Sequence, residues 1–102
     1  MAEPGFQWPG RRAGDAAHDR VAAFLTLDIQ RSPDWAEDLG ARIAQVRSGA
    51  LPSWERIGNA YRLALSAEGA VIEDLVDTAS SPQQVSLDEL AAAVAAWLAA
   101  IG

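Results

Sequence analysis

The sequence predicts an α+β fold: a small, largely antiparallel sheet with two helices packed on one face, in the order β-α-β-β-α. Three observations predict it. An apolar, β-branched run spans residues 21–29, two stretches place apolar residues at helical spacing behind start signals, and residues 59–76 read as alternation, turn and return.

Residues 1–20 contain Pro4, Gly5, Pro9, Gly10 and Gly14 without a sustained period, which predicts an irregular segment with a short edge strand near Phe6–Trp8. A single α+β domain then fills residues 21–102. From Val21 to Ile29, alternation predicts a strand with Leu25, Leu27 and Ile29 on one face and Phe24, Thr26 and Asp28 on the other.

A helix is expected over residues 33–48. Ser32 suits the N-cap, Pro33 the first helical position, and Asp34, Glu37 and Asp38 complement the positive end of the helix dipole. Trp35, Leu39, Ile43 and Val46 form one apolar stripe, and Gly49 suits the position just past the end. Residues 51–58, with Pro52 and Gly58, read as a loop. Residues 59–66 then alternate, with Tyr61, Leu63 and Leu65 on one face. Ala67, Glu68 and Gly69 turn the chain, and residues 70–76 return as the second strand of a hairpin. Residues 77–82 are loop-like. Ser86 and Glu89 match a capping box, and Leu87, Leu90, Val94, Trp97, Leu98 and Ile101 give the stripe of a last helix.

Length and composition narrow the function. The chain has 102 residues, half of them apolar, which is enough for one modest core. Cysteine is absent, so disulfides and thiolate chemistry are excluded. The opening residues show no apolar signal-peptide region, and the Ala-rich run 90–101 is too short to span a bilayer, so a cytoplasmic protein without membrane contact is expected. Fourteen acids face eight arginines and no lysine, for a net charge of −6. That balance repels nucleic-acid phosphate and favours cationic partners. It also serves plain solubility.

Catalytic patterns are lacking. His18 is the one histidine, without a neighbouring nucleophile pattern, and no glycine-rich phosphate loop follows a strand. A metal would need an all-carboxylate site, and no cofactor is expected. Asp34, Glu37 and Asp38 share one helical turn and are the only candidate for a carboxylate-based enzyme; a helix start prefers acids there for its own reasons. The acids also fall into three groups: Asp34, Glu37 and Asp38; Glu73, Asp74 and Asp77; Asp88 and Glu89. Convergence would make an anionic docking patch, whereas scatter would make them caps and strand-end solvation. Four tryptophans are present. Trp35 and Trp97 are expected in the core. Trp8 and Trp54 lie in loop-like stretches, where Trp54 is either an interface anchor or a lid on the core. The candidate partner-binding set is Asp34, Glu37, Asp38, Trp54, Glu73, Asp74 and Asp77.

The segment Ser53-Trp54-Glu55-Arg56-Ile57-Gly58-Asn59-Ala60-Tyr61-Arg62-Leu63 resembles the S-W-x-R-x-G-x-x-Y-x-L stretch of the YacL family of small bacterial proteins. The resemblance continues through Leu65, Val71-Ile72 and the helix carrying Val94 and Trp97, about the last half of the chain. It implies a non-catalytic housekeeping protein that binds another partner. In size, charge and general appearance the chain also looks like the immunity proteins of contact-dependent inhibition. That likeness implies an antitoxin-like inhibitor, monomeric or a small oligomer, which neutralises a cognate toxin with a cationic surface, often a basic nuclease, by covering its active site.

Overall fold

The computed structural model describes residues 6–101. Helix α1 spans Ala16–Phe24 and runs directly into a single π-helical turn, Leu25–Ile29. Helix α2 spans Pro33–Ser48 and helix α3 Leu87–Ile101. Between them lie strands β1 (Ser53–Ile57), β2 (Tyr61–Ser66), β3 (Gly69–Asp74) and β4 (Gln83–Val85). The strands form one antiparallel meander in sequence order, with Trp54 opposite Leu65, Leu63 opposite Ile72 and Ala70 opposite Val85.

The α+β class, both later helices and the hairpin are as the sequence predicts. Ser32 Oγ accepts from the Trp35 amide at 3.2 Å, and Gly49 closes α2 at φ 87°. The Ser86–Glu89 capping box is reciprocal: Ser86 Oγ accepts from the Glu89 amide at 3.0 Å, and Glu89 Oε1 from the Ser86 amide at 2.9 Å. In β2, Tyr61, Leu63 and Leu65 point inward. All three helices pack on that face, and their buried residues join Leu63, Leu65, Ile72 and Val85 in one core.

The element order differs from the expected one. Residues 21–29 are helical, not a strand, because Asp15 starts a helix upstream: its Oδ1 accepts from the amides of Ala17 and His18 at 2.9 and 3.1 Å. Phe24, Leu25, Asp28 and Ile29 are buried, while Leu27 is 50% exposed. That is a helical pattern, and five residues of β-compatible alternation concealed it. Residues 16–20 are therefore helical rather than irregular. Residues 6–8 form no strand. They lie across α1 and α3, with Phe6 edge-on to Trp97 at 4.9 Å and Trp8 buried against His18 at 5.6 Å. Residues 1–5 of the expected irregular segment lie outside the described residues.

Residues 53–57, read as loop, are the edge strand β1; Pro52 precedes the pairing, and Gly58 follows it without interrupting it. The second hairpin strand ends at Asp74, two residues early, because Asp74 Oδ1 accepts from the amides of Val76 and Asp77 and turns the chain. Trp35 is 49% exposed rather than core, since Ala36, Leu39, Ile43 and Val46 are the residues α2 buries.

The π turn has a physical cause in what it buries. The Gln30 amide donates to Leu25 O at 2.7 Å, five residues back, and the wider turn leaves Asp28 1% exposed inside the protein. Gln30 then leaves the helix at φ 59°, a region where residues with a Cβ are strained. Two hydrogen bonds hold it: Trp97 Nε1 donates to Gln30 O at 2.7 Å, and Gln30 Nε2 to Leu27 O at 2.9 Å.

Candidate docking groove

Helix α2 crosses β1 antiparallel, so its first turns face the end of the strand. Trp35, Asp38 and Leu39 from the helix and Trp54 and Arg56 from the strand line an open groove of about 280 Å³. The guanidinium of Arg56 lies 5.4 Å from the Trp35 ring centre, and that of Arg42 lies 5.9 Å from the Trp54 ring centre. Arg42 also reaches Asp38 at 3.5 Å, one helical turn away.

Beneath the groove sits a polar cluster built by the π turn. The buried Asp28 carboxylate accepts from the amides of Ala60 and Tyr61, each at 2.9 Å. Arg56 Nη2 donates to Asp28 O at 3.3 Å, and Arg56 Nη1 stands 3.9 Å from Asp28 Oδ2. Gly58 makes room for this pairing. A Cβ there would overlap Arg56 Nη1 and the Asp28 carboxylate, with Asp28 Cγ only 2.7 Å away. Three segments distant in sequence are thus tied by one buried charge, whose satisfaction its environment requires.

The seven residues of the candidate set separate into different roles. Asp34 and Glu37 are exposed and form no ion pair among the described residues; Asp38 pairs with Arg42. Trp54 is half-buried as one wall of the groove. Glu73 lies 3.6 Å from Arg62, which also pairs with Glu55 across the open face of the sheet. Asp74 caps its turn, and the Asp77 and Val76 amides hold its carboxyl below the usual range. Asp77 is exposed. The groups at α2 and at β3 share one end of the sheet, since the strand pairing places Ile57, Arg62 and Glu73 in one row. The third group lies at the other end: Asp88 pairs with Arg47 in the last turn of α2 at 2.6 Å, and α2 is about 24 Å long. The acids therefore do not meet in one patch: Glu73 lies on the open face of the sheet and the α2 acids on the helix that covers the other face.

The motif itself suits Arg56 to a core-edge carboxylate or a loop carbonyl, but reasoning from sequence did not identify Asp28 as that partner and placed it on a strand. It also found no partner for His18. The imidazole is 1% exposed. The Arg12 amide donates to its Nδ1 at 2.8 Å, so the proton sits on Nε2, which faces Glu89 Oε2 at 3.1 Å. Both nitrogens are engaged in joining the N-terminal segment, α1 and the start of α3. Among the described residues no cluster of His, Cys, Asp and Glu is suited to a metal ion, and no helix is long and apolar enough to cross a membrane. No family model, curated protein or solved structure matches the chain.

Proposed function

We propose that the protein is a non-catalytic binding protein of the immunity type, acting in the cytoplasm, that docks a basic toxin domain through the start of α2 and covers that domain's active site. One observation carries the reading: Trp35 is half exposed on the wall of a groove that Asp38 also lines, and among the described residues Asp34 and Glu37, exposed on the same first turns of α2, form no ion pair. Aromatic side chains in a concave site ringed by charge are what protein interfaces use as anchors. The residues that carry the YacL resemblance have internal work to do: Arg56 pairs with Asp28, Gly58 clears that pair and Tyr61 lies in the core. That resemblance bears on the fold, and the partner reading rests on α2.

The test is co-purification of the protein encoded next to this one, followed by calorimetric titration at two salt concentrations. Tight binding that weakens with salt supports the reading, and the triple variant D34N/E37Q/D38N should lose affinity together with most of the salt dependence. Absence of binding by the neighbour would sink it.

A further inference from the structure

β1 is an edge strand with an open side. The Gly58 amide donates to Tyr61 O at 3.0 Å, which marks those two as a hydrogen-bonded pair. Counting back by twos, Arg56 and Trp54 bond to β2, whereas Ser53, Glu55 and Ile57 turn their N–H and C=O groups away from the sheet. Among the described residues no hydrogen bond reaches those outward groups. The strand has no proline or bulge of its own, its charges Glu55 and Arg56 are already engaged with Arg62 and Asp28, and Ile57 is 68% exposed. The opposite edge, β4, is only three residues long and lies against α1.

We infer that a basic, extended segment of the partner protein adds to β1 as a fifth strand, with its helix-side residues entering the Trp35–Trp54 groove. This deepens the binding reading above and rests on it. Main-chain bonds to the outward groups would supply affinity, and alternate side chains specificity. Charge decides the occupant. The nearby arginines Arg42, Arg56 and Arg62 are engaged with Asp38, Asp28 and Glu55. Among the described residues Asp34 and Glu37, on the first turns of α2, form no ion pair, and neither does Arg31. A second copy of this chain fits poorly. Antiparallel self-pairing centred on Glu55 sets two glutamates opposite each other, and centring on Arg56 opposes two arginines. Centring on Trp54 puts Pro52 opposite Arg56. A partner strand with an arginine or lysine facing Glu55 avoids all three.

The test uses the full chain and a blocked peptide of about ten residues alternating arginine with valine. Hydrogen exchange read by NMR should show new protection at the Glu55 and Ile57 amides on adding peptide. Glu55→Pro removes one outward donor without touching the bonds to β2, and should weaken peptide binding at least about tenfold. Glu55→Arg, which leaves every main-chain donor in place, should weaken the arginine peptide and favour its glutamate counterpart. Peptide binding without protection at those amides, or no binding by the peptide, overturns strand addition. So does protection that grows with protein concentration alone and a dimer's mass, which would make a second copy the occupant. Binding of the neighbour-encoded protein without such protection would leave the immunity reading standing. A peptide that docks while that protein does not would remove the immunity reading alone.

Discussion

Gly58→Ala tests the cluster beneath the groove most directly. The added methyl would lie 2.7 Å from Asp28 Cγ and overlap both a carboxylate oxygen and Arg56 Nη1. Neither neighbour can yield freely. Asp28 is fixed by two amide hydrogen bonds, each 2.9 Å long, and its side chain has no solvent to move into. Overpacking a tight site costs about 1–3 kcal/mol, and loosening a hydrogen bond to a charged group adds about 1.5 kcal/mol or more. The expected loss is therefore about 2–4 kcal/mol, or on the order of 10–25 °C in Tm for a domain of this size. Gly40→Ala is the matched control. Its methyl meets only Val94 Cγ1, at 4.0 Å, and helix propensity then favours alanine by up to about 1 kcal/mol. Denaturant unfolding of both variants reads the difference. A Gly58→Ala protein within about 0.5 kcal/mol of the parent would refute the idea that Asp28 and Arg56 are held rigidly around a bare backbone.

Removing the anion should cost more. Asp28→Ala leaves Arg56 and two backbone amides without their acceptor, and a loss of about 3–5 kcal/mol in urea unfolding is expected. Trp35→Ala should separate stability from binding: with the side chain half exposed, unfolding should shift by less than about 1 kcal/mol, whereas partner affinity should fall by about thirtyfold or more. Stability should also fall at both ends of the pH scale. Glu89 is held below its ordinary value of 4.5 by the Ser86 amide and then by His18, and Asp15 and Asp74 are held below 3.8 chiefly by the amides of His18 and Asp77. A carboxyl depressed in the folded state contributes fully above its unfolded value, so these contributions should fade as pH drops from about 4.5 through the folded values. Tyr61 is raised above 10.0 by burial and then by the Asp74 charge, so the fold holds its proton more tightly and should weaken as pH rises past that value. Denaturant midpoints across pH check both limbs, and Glu89→Gln should flatten the acid one.

The sequence by itself determined the elements whose signals are local. Ser32, Pro33 and Gly49 bracket α2, Ser86 and Glu89 start α3, and alternation from Tyr61 to Leu65 sets the central strand. Each depends on groups a few residues apart, so no distant contact is needed to read it. It also brought Asp38 and Trp54 forward as candidates, and these line one groove, whereas Asp34 and Glu37 share only the first turns of α2 with it. What only the tertiary structure decided was where local signals conflict or end. Residues 21–29 are as apolar as a strand, and the Asp15 cap together with burial of Asp28 makes them helical. Pro52 and Gly58 look like loop residues, yet β2 offers a ladder that β1 completes between them. Trp35 shares the stripe of Leu39 by spacing, but the sheet lies nearer Ala36, so the tryptophan is left at the rim. The pairing of Asp28 with Arg56 joins residues 28 positions apart. Such a contact depends on chain path rather than on neighbouring residue types, and it has no local signature to read.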